Sequence, residues 1–156
     1  MLELILGPMY AGKTTELLRR RRGKTLIINH QLDTRTGDSV KTHDGVTVPA
    51  EKCWHISVTG SYDTVLIDEG QFFASLHGVE NLAPNVVVAG LSGDFMRRPF
   101  GQILNLIPKA SKVTFLNAVC YGCGGIAPFT KRLSPDIGVY SVDSTYVPTC
   151  NECFSK

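Results

Sequence analysis

The sequence predicts an α/β protein built on a parallel β-sheet, followed by a small C-terminal lobe with paired cysteines. Several apolar runs are continuous rather than alternating and are rich in β-branched residues, as in strands that are covered on both faces. The order of elements is α/β up to about residue 117, and glycine, cysteine and proline dominate the remainder. We therefore expect two units, residues 1–117 and residues 118–156.

The expected strands are short and apolar, and two helical patterns lie between them. The strands are expected at 2–7, 25–28, 64–67, 85–89 and 112–116. A helix is predicted over residues 13–22, with the arginines Arg19 to Arg22 in its last turn and Gly23 after its end. A second helical pattern runs from Gly101 to Ile107 and is expected to stop at Pro108.

Length and composition narrow the class of protein. A chain of 156 residues can bury a real core, and 43% hydrophobic against 19% charged residues argues against disorder. The 16 basic and 14 acidic residues leave a net charge of +2, which indicates neither a nucleic-acid nor a membrane partner. No apolar run approaches the roughly 18 residues of a spanning helix, and the N-terminus is apolar too briefly for a signal peptide. We expect a cytoplasmic protein.

Residues 7–14 match the pattern G-x-x-x-x-G-K-[ST] of a phosphate-binding loop (P-loop). They are Gly7, Pro8, Met9, Tyr10, Ala11, Gly12, Lys13 and Thr14. A predicted strand precedes the loop and a predicted helix follows it, which is the context that the motif requires. Glycines let backbone N–H groups curl around phosphate oxygens, and the start of the helix adds its positive end. Lys13 is expected to bridge the outer phosphates, and the Thr14 hydroxyl to hold Mg²⁺.

Two acids, Asp68 and Glu69, follow the apolar strand predicted at 64–67. In a P-loop enzyme an acid at this place belongs to the Mg²⁺ shell, which is the role expected for Asp68. Glu69 lies one residue further on, where its carboxylate is able to serve as a general base for an attacking hydroxyl. Taken alone, two acids after a strand are also typical of a strand end that faces solvent. The functional interpretation depends on the presence of the phosphate loop in the same chain.

Four of the five cysteines form two Cys-x-x-Cys pairs, Cys120 with Cys123 and Cys150 with Cys153, separated by 26 residues. Four thiolates are able to surround Zn²⁺ tetrahedrally, and they leave no open position for water, so the site is expected to be structural. Two redox pairs or two disulfides are the alternatives. Cys53 is left over and is expected to be an ordinary core or surface residue.

These features, in this order, closely resemble the type II thymidine kinases over nearly the whole chain. The sequence segments shared with this family also include Asp33-Thr34-Arg35, Asp68 to Phe73, Phe95 to Gly101, and Phe129 to Leu133. The resemblance implies a RecA-like P-loop domain with a zinc-tethered "lasso" that closes over the nucleoside. It also implies transfer of the γ-phosphoryl group of ATP to the 5′-hydroxyl of thymidine, with deoxyuridine as a second acceptor, in pyrimidine deoxynucleotide salvage.

The resemblance carries over site residues position by position, with Glu69 as the base. ATP, its phosphates and the metal would meet residues 7–14 together with Asp33, Thr34, Arg35, Asp68, Glu69, Gly70 and Gln71. The nucleoside pocket would comprise Met9, Phe72, Leu91, Phe95, Thr130 and Tyr146, with the lasso residues Ile137, Gly138, Val139, Tyr140 and Ser141 at the thymine edge. The family also implies feedback inhibition by dTTP and a homotetramer or homodimer.

Three other functions are compatible with parts of the pattern. A P-loop ATPase with a zinc ribbon that acts on nucleic acid would use the arginine cluster and the cysteines, although no basic stripe with interleaved aromatics is present. A nucleotide-sensing protein without catalysis would not need Lys13, Thr14, Asp68 and Glu69 together. The third alternative is an enzyme of the same kind, a deoxynucleoside kinase with another base preference.

The stretch after Gln71 is short for the family, and Gly78 and Pro84 disfavour a helix there.

Overall fold

A computed structural model describes residues 1–33, 37–42, 45–133 and 145–156. The strands are β1 (Leu2–Gly7), β2 (Thr25–His30), β3 (Ser39–Lys41), β4 (Thr47–Pro49), β5 (Glu51–Cys53), β6 (Thr64–Ile67), β7 (Asn85–Leu91), β8 (Lys112–Phe115), β9 (Ala118–Val119), β10 (Ile126–Ala127), β11 (Phe129–Arg132) and β12 (Tyr146–Thr149). The α-helices are α1 (Lys13–Leu18) and α2 (Asn151–Phe154), and 3-10 helices cover Gly70–Phe72, Val79–Asn81 and Ile103–Lys109.

Six of these strands form one parallel sheet in the order β5-β2-β6-β7-β1-β8. The predicted α/β class with a parallel sheet is confirmed, and it agrees with the P-loop domain that the resemblance implies. The strands β1 and β6 have the predicted bounds, β2 and β7 run two residues further, and β8 ends one residue earlier. The edge strand β5 was not predicted, because it is three residues long and lacks an apolar run.

Side chains along each central strand alternate between two hydrophobic cores, one on each face of the sheet. In β1, Leu4 and Leu6 belong to one core and Ile5 to the other. Ile103 from a 3-10 helix packs into the first core, and Leu17 of α1 packs into the second. Because both faces are covered, the central strands are largely apolar, which explains the continuous runs in the sequence.

The first helix is shorter than predicted. It ends at Leu18 instead of residue 22, so the arginine run follows the helix and does not lie in its last turn. The Arg20 N–H donates to the Leu17 carbonyl at 3.0 Å, a bond over three residues that tightens the chain into a turn. The Arg20 side chain then reaches Glu3 on β1, with 2.8 Å between Nε and Oε2. This ion pair holds the turn against the sheet.

The second predicted helix is a 3-10 helix that includes Pro108, so the predicted stop at Pro108 is wrong. Proline lacks only its own N–H donor, and the turn continues past it because the Ala110 N–H donates to the Ile107 carbonyl at 3.1 Å. Between Gln71 and the start of β7, the helical structure consists of short 3-10 turns, as Gly78 and Pro84 suggested.

The C-terminal lobe, which we call the cysteine lobe, comprises the described residues 118–133 and 145–156. It contains the antiparallel pairs β9–β10 and β11–β12 and the short helix α2. None of the described helices in the chain is long and apolar enough to cross a membrane. The lobe follows β8, which pairs with β1, so it begins beside the strand that leads into the phosphate loop.

Candidate active site

The candidate site lies at the carboxyl edge of the parallel sheet, where β1, β6 and β7 end. The loop after β1 carries the phosphate-binding motif, and Asp68 and Glu69 directly follow β6. The strand β7 lies between these two strands. Loops at the carboxyl ends of parallel strands form the ligand-binding crevice in open α/β sheets.

The phosphate loop has glycine where its backbone needs glycine. A Cβ atom on Gly7 would lie 2.5 Å from the Leu116 carbonyl oxygen, so the chain leaves β1 through a gap that only glycine fits. Gly12 has a φ of 82°, in the left-handed region that glycine adopts without strain. The Lys13 ammonium is buried over the loop and donates to the Pro8 carbonyl at 2.6 Å. The loop is thus curled around the cation that the motif assigns to the phosphates.

Thr14 and Asp68, the two residues predicted to hold Mg²⁺, are in direct contact. The Thr14 hydroxyl donates to Asp68 Oδ2 at 2.9 Å, and the Glu69 N–H donates to Asp68 Oδ1 at 3.0 Å. Asp68 is 3% exposed. Burial first, and the neighbouring Glu69 carboxylate second, raise the pKa of Asp68 to about 7, against the lowering effect of Thr14 and Lys13. A hydroxyl and a buried carboxylate are oxygen ligands of the kind that Mg²⁺ takes, and a cation would offset the charge that burial disfavours.

The raised pKa of Asp68 predicts a gain in stability when this residue is neutral. The folded protein keeps a proton on Asp68 between its ordinary pKa and about 7, while the unfolded chain loses it, so folding stability falls as pH rises through that window. We expect Asp68→Asn to raise the free energy of unfolding by about 2–4 kcal/mol at about pH 8, and by much less at about pH 5. Thermal unfolding in Mg²⁺-free buffer without a chelator measures both values.

The control for this prediction is Asp38→Asn, because Asp38 is exposed. It should change the melting temperature little at either pH. An Asp68→Asn variant with the same stability gain at both pH values, or with none, would contradict the cost assigned to the buried charge.

Glu69 has a strained backbone and a fixed carboxylate. Its φ of 54° is in the left-handed region, which residues other than glycine rarely adopt and which is enriched at functional sites. Gln71 holds the side chain, with 2.5 Å between Gln71 Nε2 and Glu69 Oε2. The buried Gln71 also accepts the Leu91 N–H at 3.0 Å. The Gln71 amide therefore links the candidate base to the end of β7. Gly70 and Gln71 are the buried first residues of the 3-10 helix Gly70–Phe72.

Asp33 follows β2, the strand next to β6. It is buried, its Oδ2 accepts Asn29 Nδ2 at 2.9 Å, and its carbonyl accepts Lys52 Nζ at 2.8 Å. The residues Thr34 and Arg35, also predicted near the phosphates, lie outside the described residues, as do the lasso residues Ile137, Gly138, Val139, Tyr140 and Ser141.

The residues predicted for a nucleoside pocket lie both on the part of the chain before residue 118, which we call the sheet body, and on the cysteine lobe. The Met9 N–H of the phosphate loop donates to Thr130 Oγ1 of β11 at 3.0 Å. Phe95 and Tyr146 meet through Arg132, whose guanidinium lies 3.9 Å from the centre of the Phe95 ring and whose Nη2 donates to the Tyr146 hydroxyl at 2.5 Å.

Phe72 lies against a different group of rings. Its centroid is 5.7 Å from that of Phe100 and 5.8 Å from that of the buried His30. Leu91, at the end of β7, is joined to the same 3-10 turn as Phe72 through Gln71. Arg132, to which the sequence pattern assigns no role, lies two residues after Thr130 and therefore on the same face of β11. That spacing is the signal that was available for it.

A cleft of about 290 Å³ lies between the sheet body and the cysteine lobe. This volume is near the lower end of the range of about 300–1,000 Å³ that is usual for small-molecule sites. Its lining includes Gly7, Ser92, Asp94, Phe115, Asn117 and Thr130. Because Gly7 and Thr130 belong to it, the cleft adjoins the phosphate loop.

The four cysteines of the two pairs form one cluster. Their sulfur atoms all lie within 4.8 Å of one another, and Cys123 Sγ is 3.7 Å from Cys150 Sγ. A tetrahedral zinc site with Zn–S bonds of about 2.3 Å requires S···S distances of about 3.8 Å. Backbone N–H groups also donate to the sulfurs, from Cys150 to Cys120 Sγ at 3.2 Å and from Cys153 to Cys150 Sγ at 3.4 Å. The donor set fits a closed Zn²⁺ site. Cys53, by contrast, is half-buried and packs against the first core.

Comparisons with known proteins identify the family of this chain. The family model described as thymidine kinase matches residues 1–154. A thymidine kinase of Myxoma virus (strain Uriarra) is 37% identical over 98% of this chain and 95% of its own length. The cytosolic thymidine kinase of Homo sapiens is 38% identical over 99% of this chain and 73% of its own length, and thymidine kinase 1 of Dictyostelium discoideum is 35% identical over 99% and 78%. The chain therefore belongs to the thymidine kinase family.

Proposed function

We propose that this enzyme transfers the γ-phosphoryl group of ATP to the 5′-hydroxyl of thymidine, giving dTMP and ADP, and that deoxyuridine is a second acceptor. The observation that carries the proposal is the contact of Thr14, Asp68 and Glu69 at the end of β6, beside the phosphate loop. Residues 7–14 are proposed to bind the phosphates of ATP together with Asp33, Gly70 and Gln71, and the family resemblance adds Thr34 and Arg35 to this set. Lys13 neutralises charge that develops on the outer phosphates.

Glu69 is the proposed general base. Its carboxylate takes the proton of the 5′-hydroxyl while the new O–P bond forms and the bond from the γ-phosphorus to the β,γ-bridging oxygen breaks. Gln71 orients the carboxylate through the 2.5 Å hydrogen bond. Thr14 and Asp68 would hold Mg²⁺, which would supply positive charge to offset that of the phosphates.

The nucleoside is proposed to bind between the body and the cysteine lobe. Met9, Phe72, Leu91, Phe95, Thr130 and Tyr146 would contact it, with residues 137–141 at the thymine edge. Support comes from the bond between Met9 and Thr130, which joins the phosphate loop to the lobe. Aromatic walls suit a flat base, because ring faces stack with little dependence on hydrogen-bond pattern. A pocket that excluded water around the bound nucleoside would favour transfer to the sugar over hydrolysis.

The remaining proposals concern organisation and regulation. Residues 1–117 would form the nucleotide-binding domain and residues 118–156 the zinc-binding lasso domain, with Cys120, Cys123, Cys150 and Cys153 holding structural Zn²⁺. We further propose feedback inhibition by dTTP, assembly as a homotetramer or homodimer, and a cytoplasmic location. The location is supported by the name of the human relative, which is a cytosolic enzyme.

The proposed reaction is tested by release of ADP from Mg-ATP with different acceptors in parallel. The acceptors are thymidine, deoxyuridine, deoxycytidine, deoxyguanosine, single-stranded DNA and none. We expect strong stimulation by thymidine and weaker stimulation by deoxyuridine, and mass spectrometry of the product should identify dTMP. Stimulation by DNA without any nucleoside response would favour the nucleic-acid ATPase instead, and equal stimulation by all nucleosides would contradict the base preference.

A further inference from the structure

The loop that follows β7 is closed on itself by Asp94. This buried carboxylate accepts the N–H of Met96 at 2.8 Å and that of Arg98 at 2.9 Å through Oδ1, and Arg98 Nε at 3.2 Å through Oδ2. The backbone adds two bonds, from the Asp94 N–H to the Arg98 carbonyl and from the Arg97 N–H to the Asp94 carbonyl. The loop 94–98 is therefore a fixed platform, and it carries Phe95 of the proposed nucleoside pocket.

Arg97 extends from this platform to the cysteine lobe. Its Nη1 donates to Asn151 Oδ1 at 2.8 Å, and its guanidinium lies 4.3 Å from the centre of the Phe154 ring and 5.1 Å from that of Phe129. Asn151 and Phe154 are the first and last residues of α2, which also contains Cys153. The contact therefore joins the body to the part of the lobe that holds the cysteine cluster.

The backbone conformation of Arg97 indicates that contacts of its side chain hold it in place. Its φ of 61° is in the left-handed region, where glycine would be free of strain. A residue with a Cβ is held in such a conformation only when surrounding contacts over-determine it, and such residues cluster at functional sites. The Arg97 side chain makes such contacts with Asn151, Phe154 and Phe129.

The platform has a second contact with the lobe, two residues before Arg97. Phe95 lies under the guanidinium of Arg132, which binds the Tyr146 hydroxyl. Phe129 and Arg132 are the two ends of the same strand, β11. The two contacts thus brace one loop against one strand, and loss of either would let Phe95 move relative to Thr130 and Tyr146.

We propose that Arg97 is a positioning residue that holds Phe95 in register with the cysteine lobe and so sets the affinity for the nucleoside. This inference rests on the function proposed above. Because Arg97 acts on the wall of the nucleoside pocket and not on the phosphate loop, its effect should fall on thymidine binding and spare ATP binding and the chemical step.

The test compares Arg97→Gly, Arg97→Lys and the wild type, with Arg19→Ala as a control at an exposed arginine that pairs with Glu16. For each we would measure kcat, the KM values for thymidine and ATP, the thymidine Kd by calorimetry, the melting temperature and the zinc content. Arg97→Gly should raise the thymidine KM and Kd about tenfold, and kcat and the ATP KM should stay within about threefold. Arg97→Lys should restore most of the affinity, because an ammonium still reaches Asn151 and the Phe154 ring.

A second variant, Phe154→Leu, leaves the arginine in place and removes the nearer of its two ring partners. Combined with Arg97→Gly, it should raise the thymidine KM by less than the product of the two single effects, because both changes break one contact. An unchanged thymidine KM and Kd in folded Arg97→Gly, or equal losses for thymidine and ATP, would overturn this inference alone. A wild type without thymidine-dependent turnover would overturn the proposed function, and this inference with it.

Discussion

Glu69→Gln is expected to lower kcat for thymidine phosphorylation by ~10²-fold or more, since general bases typically contribute 10²–10⁴-fold. Glutamine has the same size and can still meet Gln71, so the change removes the proton acceptor with little change in shape. The phosphate loop is untouched, and the KM for ATP should stay within about twofold of the wild-type value. Steady-state kinetics with saturating thymidine and Mg-ATP measures both effects.

The matched control is Glu51→Gln, at an exposed glutamate on the edge strand β5. It should leave kcat and both KM values unchanged. Turnover of Glu69→Gln within about threefold of the wild type would remove Glu69 from the proposed mechanism. A matching loss of ATP affinity would instead indicate that Glu69 acts through the phosphate and metal residues.

Loss of zinc is the second change with a large expected effect. In a lobe with two-stranded sheets and a four-residue helix, little apolar burial is available, and structural zinc typically contributes folding free energy outright. We expect removal of zinc to disorder the segment from Cys120 to Cys153. The thymidine KM should rise by at least about tenfold before ATP affinity changes, because Thr130 and Tyr146 belong to this segment and the phosphate loop does not.

Two serine variants make the test independent of chelators, which would also remove Mg²⁺. Cys120→Ser removes a proposed ligand, and Cys53→Ser removes the one cysteine outside the cluster. Zinc content, proteolysis of the lobe and binding of a non-hydrolysable ATP analogue should separate the two variants. Wild-type thymidine kinetics in a Cys120→Ser protein with verified loss of zinc would contradict the structural role.

The parts of the fold that sequence predicted best are those that burial determines. All five predicted strands exist. Four of them lie inside the sheet, where both faces are covered and a strand must be largely apolar, and β8 lies at one edge. The edge strand β5 was not predicted, because an edge strand does not need a continuous apolar run. The end of α1 was misplaced, because the turn at Arg20 depends on an ion pair with Glu3 that no local pattern reveals.

The candidate site divides in the same way. The phosphate loop, the acids after β6 and the cysteine pairs have fixed spacings, so their neighbours in sequence identify them. Arg97 and Arg132 belong to no such motif of fixed spacing. An arginine in a loop or on a strand is usually a solvated charge, so the sequence alone gives no reason to single them out. Their partners are set by packing between the body and the lobe: Arg97 meets Asn151, a residue 54 positions away. Only the folded chain brings such pairs together.

The position of β1 in the sheet has a consequence for biosynthesis. The strand β1 is synthesised before both of its partners: it pairs on one side with β7, as Leu2 with Val86, and on the other with β8, as Glu3 with Lys112. Both partners are made late, so β1 must wait unpaired until most of the chain exists, and such distant pairings form slowly. A nascent chain that stops before β8 would carry every residue of the phosphate loop, yet would lack the carbonyl of Leu116 against which Gly7 is fitted.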